Sequence, residues 1–361
     1  MPCFCGGQSQ QVLLLSSRAS LIGRVRSPCG YASIKRAAVS RHLTPVTQSF
    51  DALRSTREEP GMERTRSGQW IQVSVLALAC LLPAPAAAHP GSGIVVDRSG
   101  QIYFVDMVSG VWKIDTHGAL THLSGPAFHW MTLDATDRFA ATQLPSGSSG
   151  DIARIGTSPT LLLGSDFPLA IGRDGDLYFP SHRAGAPLNI LRFLPTGRRS
   201  VLASLPATTA GEPVRELNGL AAGPDGSLYY TEHDAIRRIS RAGQVSTVAE
   251  NVAVVGCPST PRTGTRRDPL LRGLDVDVDG TVYVAATGCG TVLRVSPAGR
   301  VTTLPQVPNP WAATGVALFG GDVYVLEFQN AESDDRREML PRVRKIAVDG
   351  STAVIATVTR H

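Results

Sequence analysis

The sequence predicts an all-β fold, a six-bladed β-propeller of four-stranded antiparallel blades, and three observations predict it. A phrase of apolar strand, Asp-Gly or Ser-Gly turn and second strand built around Tyr recurs six times. The turn positions Gly100, Arg138, Gly175, Gly226, Gly280 and Gly321 lie 38, 37, 51, 54 and 41 residues apart. Repeats of about 40 to 50 residues indicate a radial or solenoid array. No sustained 3.6-residue apolar period follows His89, which disfavours a helical solenoid.

The elements follow in order. The phrase reads GIVVDRSGQIYFVD from Gly93, GLAAGPDGSLYYTE from Gly219 and GLDVDVDGTVYVAA from Gly273. LAIGRDGDLYFPS from Leu169 and GVALFGGDVYVLE from Gly315 are looser copies, and MTLDATDRFAAT from Met131 is a worn one. In the unit opening at Arg272, strand a is expected over Leu274 to Val278 and strand b over Thr281 to Ala285, joined by Asp279-Gly280. Strand c is expected over Thr291 to Ser296 and strand d over Arg300 to Leu304, after Pro297-Ala298-Gly299. Strand b is apolar almost throughout, as in Ile102-Tyr103-Phe104-Val105, so both of its faces need cover. Blades stacked around an axis supply that cover. His89 to His361 is 273 residues, or about 45 per unit, a normal blade length. The first unit opens at strand a and the last, Ala353 to Val358, closes at strand d. Closure is therefore expected from side-chain packing and not from an exchanged strand.

The formal charge of +5 is uneven along the chain. From His89 onward there are 25 basic and 26 acidic residues, so the high pI gives no reason to invoke a nucleic acid. Residues 62–88 read as a secretory signal peptide: MERTRSGQW is a basic n-region, IQVSVLALACLL an apolar run too short to span a bilayer, and Ala86-Ala87-Ala88 a small-residue cleavage site. Residues 1–61 then read as a disordered extension or upstream sequence from a misplaced start codon, with an Arg- and Ser-rich organellar transit peptide as the alternative. The expected mature chain, 89–361, is a monomer that is periplasmic or extracellular and has no membrane span. Of its cysteines only Cys257 and Cys289 remain after processing, and in an exported domain they read as one disulfide.

In a meander blade the a–b and c–d turns share one face and the b–c and d–a loops the other. The long irregular segments, such as Ala207 to Leu217, Asn251 to Leu271 and Gln329 to Val343, fall on the second face. That face is where a small molecule or a protein partner is expected to bind. The residues just before strand a should rim the channel there: Ser92, Trp130, Phe167, Asn218, Arg272 and Thr314. Two aromatics opposite polar groups suit a small molecule with an apolar side and a polar or anionic side. The plainer reading is that Trp130 and Phe167 plug the channel and Arg272 is solvated. Three residues after the strand-b Tyr stand Asp106, Glu232 and Glu327, which either help to hold a metal or accept backbone N–H groups in the b–c turn. His233, beside Glu232 and Asp234, is the candidate base, and His129 and His182 share the face. Neither Gly-x-Ser-x-Gly nor His-Glu-x-x-His is present to build a serine hydrolase or zinc protease around them.

GIVVDRSGQIYFVD followed by VWKIDTHGALTHL resembles the NHL-repeat propellers and the related senescence-marker/gluconolactonase family. The resemblance implies a divalent cation, such as Ca²⁺, at the channel mouth and lactone or ester hydrolysis. It places the family's Asn-Gly element on Asn218-Gly219, while Ser92 stands at the position of the family's Glu and Arg272 at that of its Asp. A guanidinium beside a cation is unfavourable, so the metal reading needs Glu232 or Asp106 to substitute. GPDGSLYYTE from Gly223 also resembles the streptogramin lyases, which implies a loop-face His as base with a cation and points to His233.

Overall fold

In blades 1 and 3 the recurring Tyr is tied to the turn that precedes it. Tyr103 donates its hydroxyl to Asp97 Oδ2 at 3.2 Å, while Asp97 Oδ1 accepts the N–H groups of Ser99 and Gln101. Tyr178 does the same to Asp174 Oδ2 at 2.6 Å. Each Asp thus ties its turn to the following strand. Burial, then the charge and hydrogen bond of Asp97, push the Tyr103 hydroxyl up to about 12, so it stays a donor.

The computed structural model describes residues 90–146, 151–182, 186–207, 215–257, 269–330 and 335–360. The two expected leader segments, 1–61 and 62–88, lie outside them. Two units divide the chain, Met1–Leu82 and Pro83–His361, and the second holds every described residue.

That unit is a six-bladed β-propeller. Blade 1 is β1 (Ile94–Val96), β2 (Ile102–Asp106), β3 (Gly110–Ile114) and β4 (Leu120–Ser124). Blade 2 holds β5 (Trp130–Asp134), β6 (Ile152–Ile155) and β7 (Thr160–Gly164). Blade 3 is β8 (Ala170–Ile171), β9 (Leu177–Ser181), β10 (Leu188–Phe193) and β11 (Arg199–Leu205). Blade 4 is β12 (Leu217–Ala222), β13 (Leu228–Glu232), β14 (Ala235–Ile239) and β15 (Val245–Ala249). Blade 5 is β16 (Leu271–Val276), β17 (Val282–Ala286), β18 (Thr291–Val295) and β19 (Val301–Thr303). Blade 6 is β20 (Trp311–Phe319), β21 (Asp322–Gln329), β22 (Pro341–Ile346) and β23 (Thr352–Thr357). Five blades are antiparallel meanders in chain order. The described helices are two single turns, Thr287–Cys289 and Arg336–Glu338.

Burial falls outward across each blade. Strands β2 and β13 are buried at every residue, whereas the outer strands β4 and β15 are mostly exposed. Apolar side chains fill the gaps between neighbouring blades. One cluster joins Ile94, Phe104 and Val105 of blade 1 to Met131 and Leu161 of blade 2 and to Leu326, Val343 and Val358 at the end of the chain. The ring therefore closes by packing, and among the described residues no sheet mixes strands from the two ends.

Blade 2 departs from the expectation. Phe139 to Thr142, the expected second strand of the worn copy, forms turns, and the place beside β5 is taken by β7, buried at every residue. The order is β5-β7-β6, so the segment after β5 crosses to the outer edge before the chain returns. Asp134 explains this: its Oδ2 accepts Phe139 N–H at 2.7 Å, removing a donor that a ladder would need. Asp137 then reaches across to Thr160, accepting its N–H and hydroxyl at 2.7 Å each and locking the replacement strand in register.

Candidate functional site

The channel mouth is built from β-bulges. Leu217 pairs with Glu232 and Gly219 with Thr231, leaving Asn218 as the extra residue. Ala313 pairs with Glu327 and Gly315 with Leu326, which leaves out Thr314. Between the Leu271–Ala286 and Leu274–Val284 pairs, Arg272 and Gly273 face a single partner residue. Three consecutive blades thus break their first ladder at the predicted rim. A bulge re-aims a side chain that regular pleating would turn into the neighbouring blade.

A glycine follows Ser92, Asn218, Arg272 and Thr314 and lets the backbones meet. A Cβ on Gly273 would lie 2.9 Å from Gly315 Cα and 3.1 Å from Ser92 O, and one on Gly315 would lie 2.3 Å from Ser92 O. No side chain fits there. The backbones of blades 1, 5 and 6 therefore approach closely at this level.

The polar arc of the rim is largely buried. Ser92 and Arg272 are each 5 % exposed, and Thr314 is fully buried. Arg272 Nη1 donates to Pro90 O at 3.2 Å, and its carbonyl accepts Thr231 Oγ1 at 2.9 Å. Thr314 donates to Leu326 O at 3.3 Å. Ser92 Oγ and Asn218 Nδ2 are buried with no hydrogen-bond partner among the described residues. His129 joins the arc: its carbonyl accepts the N–H groups of Ser92 and Gly93 at 2.8 and 3.0 Å. Its Nδ1 lies 2.6 Å from Ser165 O and so carries the proton, which makes Nε2 the basic nitrogen. Burial holds the His129 imidazole below its ordinary value, with the charges of Arg336 and Arg272 acting in the same direction against the Ser165 carbonyl and the Asp166 charge.

The aromatic half of the rim is engaged elsewhere. Trp130 and Phe167 are each 8 % exposed and pack with Phe139, Leu162 and Leu177 in the core between blades 2 and 3. Phe167 stacks on Phe179 with centroids 5.6 Å apart.

Arginines hold the three recurring carboxylates. Glu232 Oε1 lies 2.9 Å from Arg215 Nε, and its Oε2 3.4 Å from Arg237 Nε. Glu327, fully buried, accepts from Arg342 at 2.7 Å and from Arg344. Asp106, also fully buried, accepts the N–H groups of Val108 and Ser109 in its b–c turn and pairs with Arg360. His233 is exposed in the turn after β13, with φ 55°, and its carbonyl accepts Leu271 N–H at 3.1 Å, one residue before Arg272. Among the described residues no three His, Cys, Asp or Glu side chains gather as a metal site would require. These side chains do not fit a divalent cation: each of the three recurring carboxylates has a guanidinium partner, and Arg272 is part of the rim itself.

Cys257 and Cys289 form a disulfide. It ties the segment after β15 to the b–c turn of blade 5. Among the described residues no helix is long and apolar enough to cross a membrane.

The contributions of His129 and Arg336 are absent from the rim that the sequence predicts. His129 directly precedes the rim residue Trp130, a signal of position alone. Nothing in the local sequence distinguishes Arg336 from its neighbour Arg337.

No curated protein matches the chain. Among solved structures, virginiamycin B lyase from Staphylococcus aureus is 16 % identical, with 75 % of this chain and 85 % of that chain covered and a TM-score of 0.43. The calcium-binding protein regucalcin from Agrobacterium tumefaciens is 14 % identical over 70 % of this chain and 86 % of that one, with a TM-score of 0.44. A protein of unknown function from Bacteroides thetaiotaomicron is 16 % identical over 75 % and 71 %, with a TM-score of 0.48. Residues 171–326 match the family described as SMP-30/Gluconolactonase/LRE-like region, a span that includes Asn218, Arg272 and Thr314 and stops short of Ser92 and Asp106. The chain is a six-bladed β-propeller, and its stretch from the end of β8 into β21 matches the SMP-30/gluconolactonase/LRE-like family.

Proposed function

We propose that this protein is an exported, monomeric propeller that binds a small anionic molecule at the channel mouth. The observation that carries the reading is the run of bulges at Asn218, Arg272 and Thr314, beside two buried polar groups, Ser92 Oγ and Asn218 Nδ2, without partners. A buried amide left unpaired costs about 1 to 3 kcal/mol, which a ligand oxygen would recover. The guanidinium of Arg272, part of the rim, favours an anion. Export is supported by the disulfide and by the leader reading of residues 62–88.

Calorimetry with citrate and with gluconate tests this. Binding of either is expected, weakened about 10-fold in Asn218→Ala by loss of one hydrogen bond to a charged acceptor. Failure of both to bind at millimolar concentration overturns the reading.

A second reading, a divalent-cation-dependent lactone or ester hydrolase, is favoured by the family match across Asn218-Gly219. It needs Glu232 or Asp106 to leave its arginine. Melting with millimolar Ca²⁺, Mg²⁺ or Zn²⁺ separates the two: a shift lost in Asn218→Ala supports the hydrolase, and no shift with any of the three ends it.

A further inference from the structure

On the turn face, opposite the mouth, blades 3 and 4 form an open cleft of about 370 Å³ lined by Arg173, Asp174, Tyr178, Arg192, Leu202, Leu228 and Arg241. Its three guanidiniums are not equivalent. Arg192 is neutralised: Nε and Nη2 both lie 2.6 Å from Asp176 Oδ2, and Nη2 lies 3.2 Å from Asp174 Oδ2. Those two carboxylates are further occupied by Arg138 and by the Tyr178 hydroxyl. Arg173 spans the gap between the blades, and its Nη1 donates to Pro224 O at 2.5 Å. A carbonyl fixes the side chain there but leaves its charge uncompensated. Arg241, exposed, has no carboxylate partner among the described residues.

The position of Arg241 depends on the turn beneath it. Gly226 has φ +78°, and a Cβ there would come within 2.3 Å of Arg241 Nε and 2.5 Å of Nη2. Only the missing side chain lets the guanidinium lie over the turn. The blade's repeated Asp-Gly phrase thus also clears a seat for a cation at the edge of the cleft. Leu202, Leu228 and the Tyr178 ring supply the apolar wall. A concave site of this size, with convergent donors on an apolar wall, is the form that small-molecule pockets take.

We propose that this cleft binds a small molecule carrying a phosphate or sulfate ester. The oxyanion is held by Arg173 and Arg241, and the carbon skeleton rests on Leu202, Leu228 and Tyr178. Two guanidiniums without carboxylates match a dianion, and the fork geometry of Arg suits a tetrahedral oxyanion better than a point charge does.

The test is calorimetry on the full chain at low ionic strength with glucose 6-phosphate, with glucose as the neutral control and with inorganic phosphate and sulfate as separate arms. Glucose 6-phosphate is expected to bind where glucose does not, and the stronger of the inorganic arms identifies the preferred ester. Arg241→Ala is expected to weaken binding about 10-fold or more, and Arg241→Lys less. Asn218→Ala, on the other face, is expected to leave the constant unchanged, so this site and the mouth fail separately. Glucose 6-phosphate binding no tighter than glucose, or an unchanged constant in Arg241→Ala, overturns the proposal.

Discussion

Arg360, in the tail after β23, pairs with Asp106 at the end of β2 across 254 residues of sequence. The bond spans the seam between the last blade and the first, where no strand is exchanged. Its guanidinium also donates to the carbonyls of Arg336 and Arg337, at 3.2 and 2.6 Å, which draws the Arg336–Glu338 turn to the same seam. Arg360→Ala leaves a fully buried carboxylate with only its own turn as partner. A loss of about 2 kcal/mol in unfolding free energy is expected, read by urea denaturation, and an unchanged midpoint would show that packing alone closes the ring.

Glu327 carries the larger electrostatic load. It is fully buried between Arg342 and Arg344, and Arg342 also lies 4.0 Å over the Trp311 ring. Glu327→Gln leaves two guanidiniums without their anion. A loss of about 3 kcal/mol is expected, because removing one member of a buried ionic cluster strands the others. Denaturation of Glu327→Gln beside wild type measures it.

Reduction of the Cys257–Cys289 bond frees a loop with a sequence separation of 32. In the chain-entropy account this costs about 4 kcal/mol. Cys257→Ser is expected to melt earlier than the oxidised wild type and to coincide with the reduced one. A variant that melts with the oxidised protein would show the bond to be mechanically idle.

Asp275 joins blades 5 and 6 through side chain to backbone, accepting Leu318 N–H at 2.9 Å and Val276 N–H at 2.8 Å. Burial pushes its carboxyl up to about 6. The folded value lies above the unfolded one, so between roughly pH 4 and 6 the folded state holds more protons, and stability from this group falls as pH rises through that window. Asp275→Asn removes the dependence. Relative to wild type, the variant is expected to gain melting temperature from pH 4 to pH 8, whatever constant offset the amide introduces. A difference that is flat with pH would place the charge in solvent.

The blades were legible because their signal is local and repeated. In the unit from Arg272, the expected strands c and d lie within a residue of β18 and β19 at each end. Strand a there begins three residues earlier than expected, at Leu271, because the bulge hides the first paired residue from simple alternation. Blade 2 was misread for a similar reason. MTLDATDRFAAT keeps the length of the phrase, but Asp134 captures the Phe139 N–H, and a side chain competing for backbone is invisible to periodicity. The rim positions were found by aligning each unit from its turn back to the residue just before strand a, and in four of them, Ser92, Asn218, Arg272 and Thr314, a Gly follows. The partners of the three carboxylates were not foreseen. Arg344 reaches Glu327 across the β21–β22 ladder, whereas Arg360 is 254 residues from Asp106, a distance that only the closed ring makes short.

Each sheet draws its strands from one continuous stretch of chain, so the place where the polypeptide starts and stops is an accident of bookkeeping and not of architecture. A permuted gene that joins the present ends through a flexible linker and opens the chain between β11 and β12 would keep every strand pairing intact. Such a rearranged protein gives a direct way to weigh the seam, since the same six sheets could then be assembled with the break in any gap.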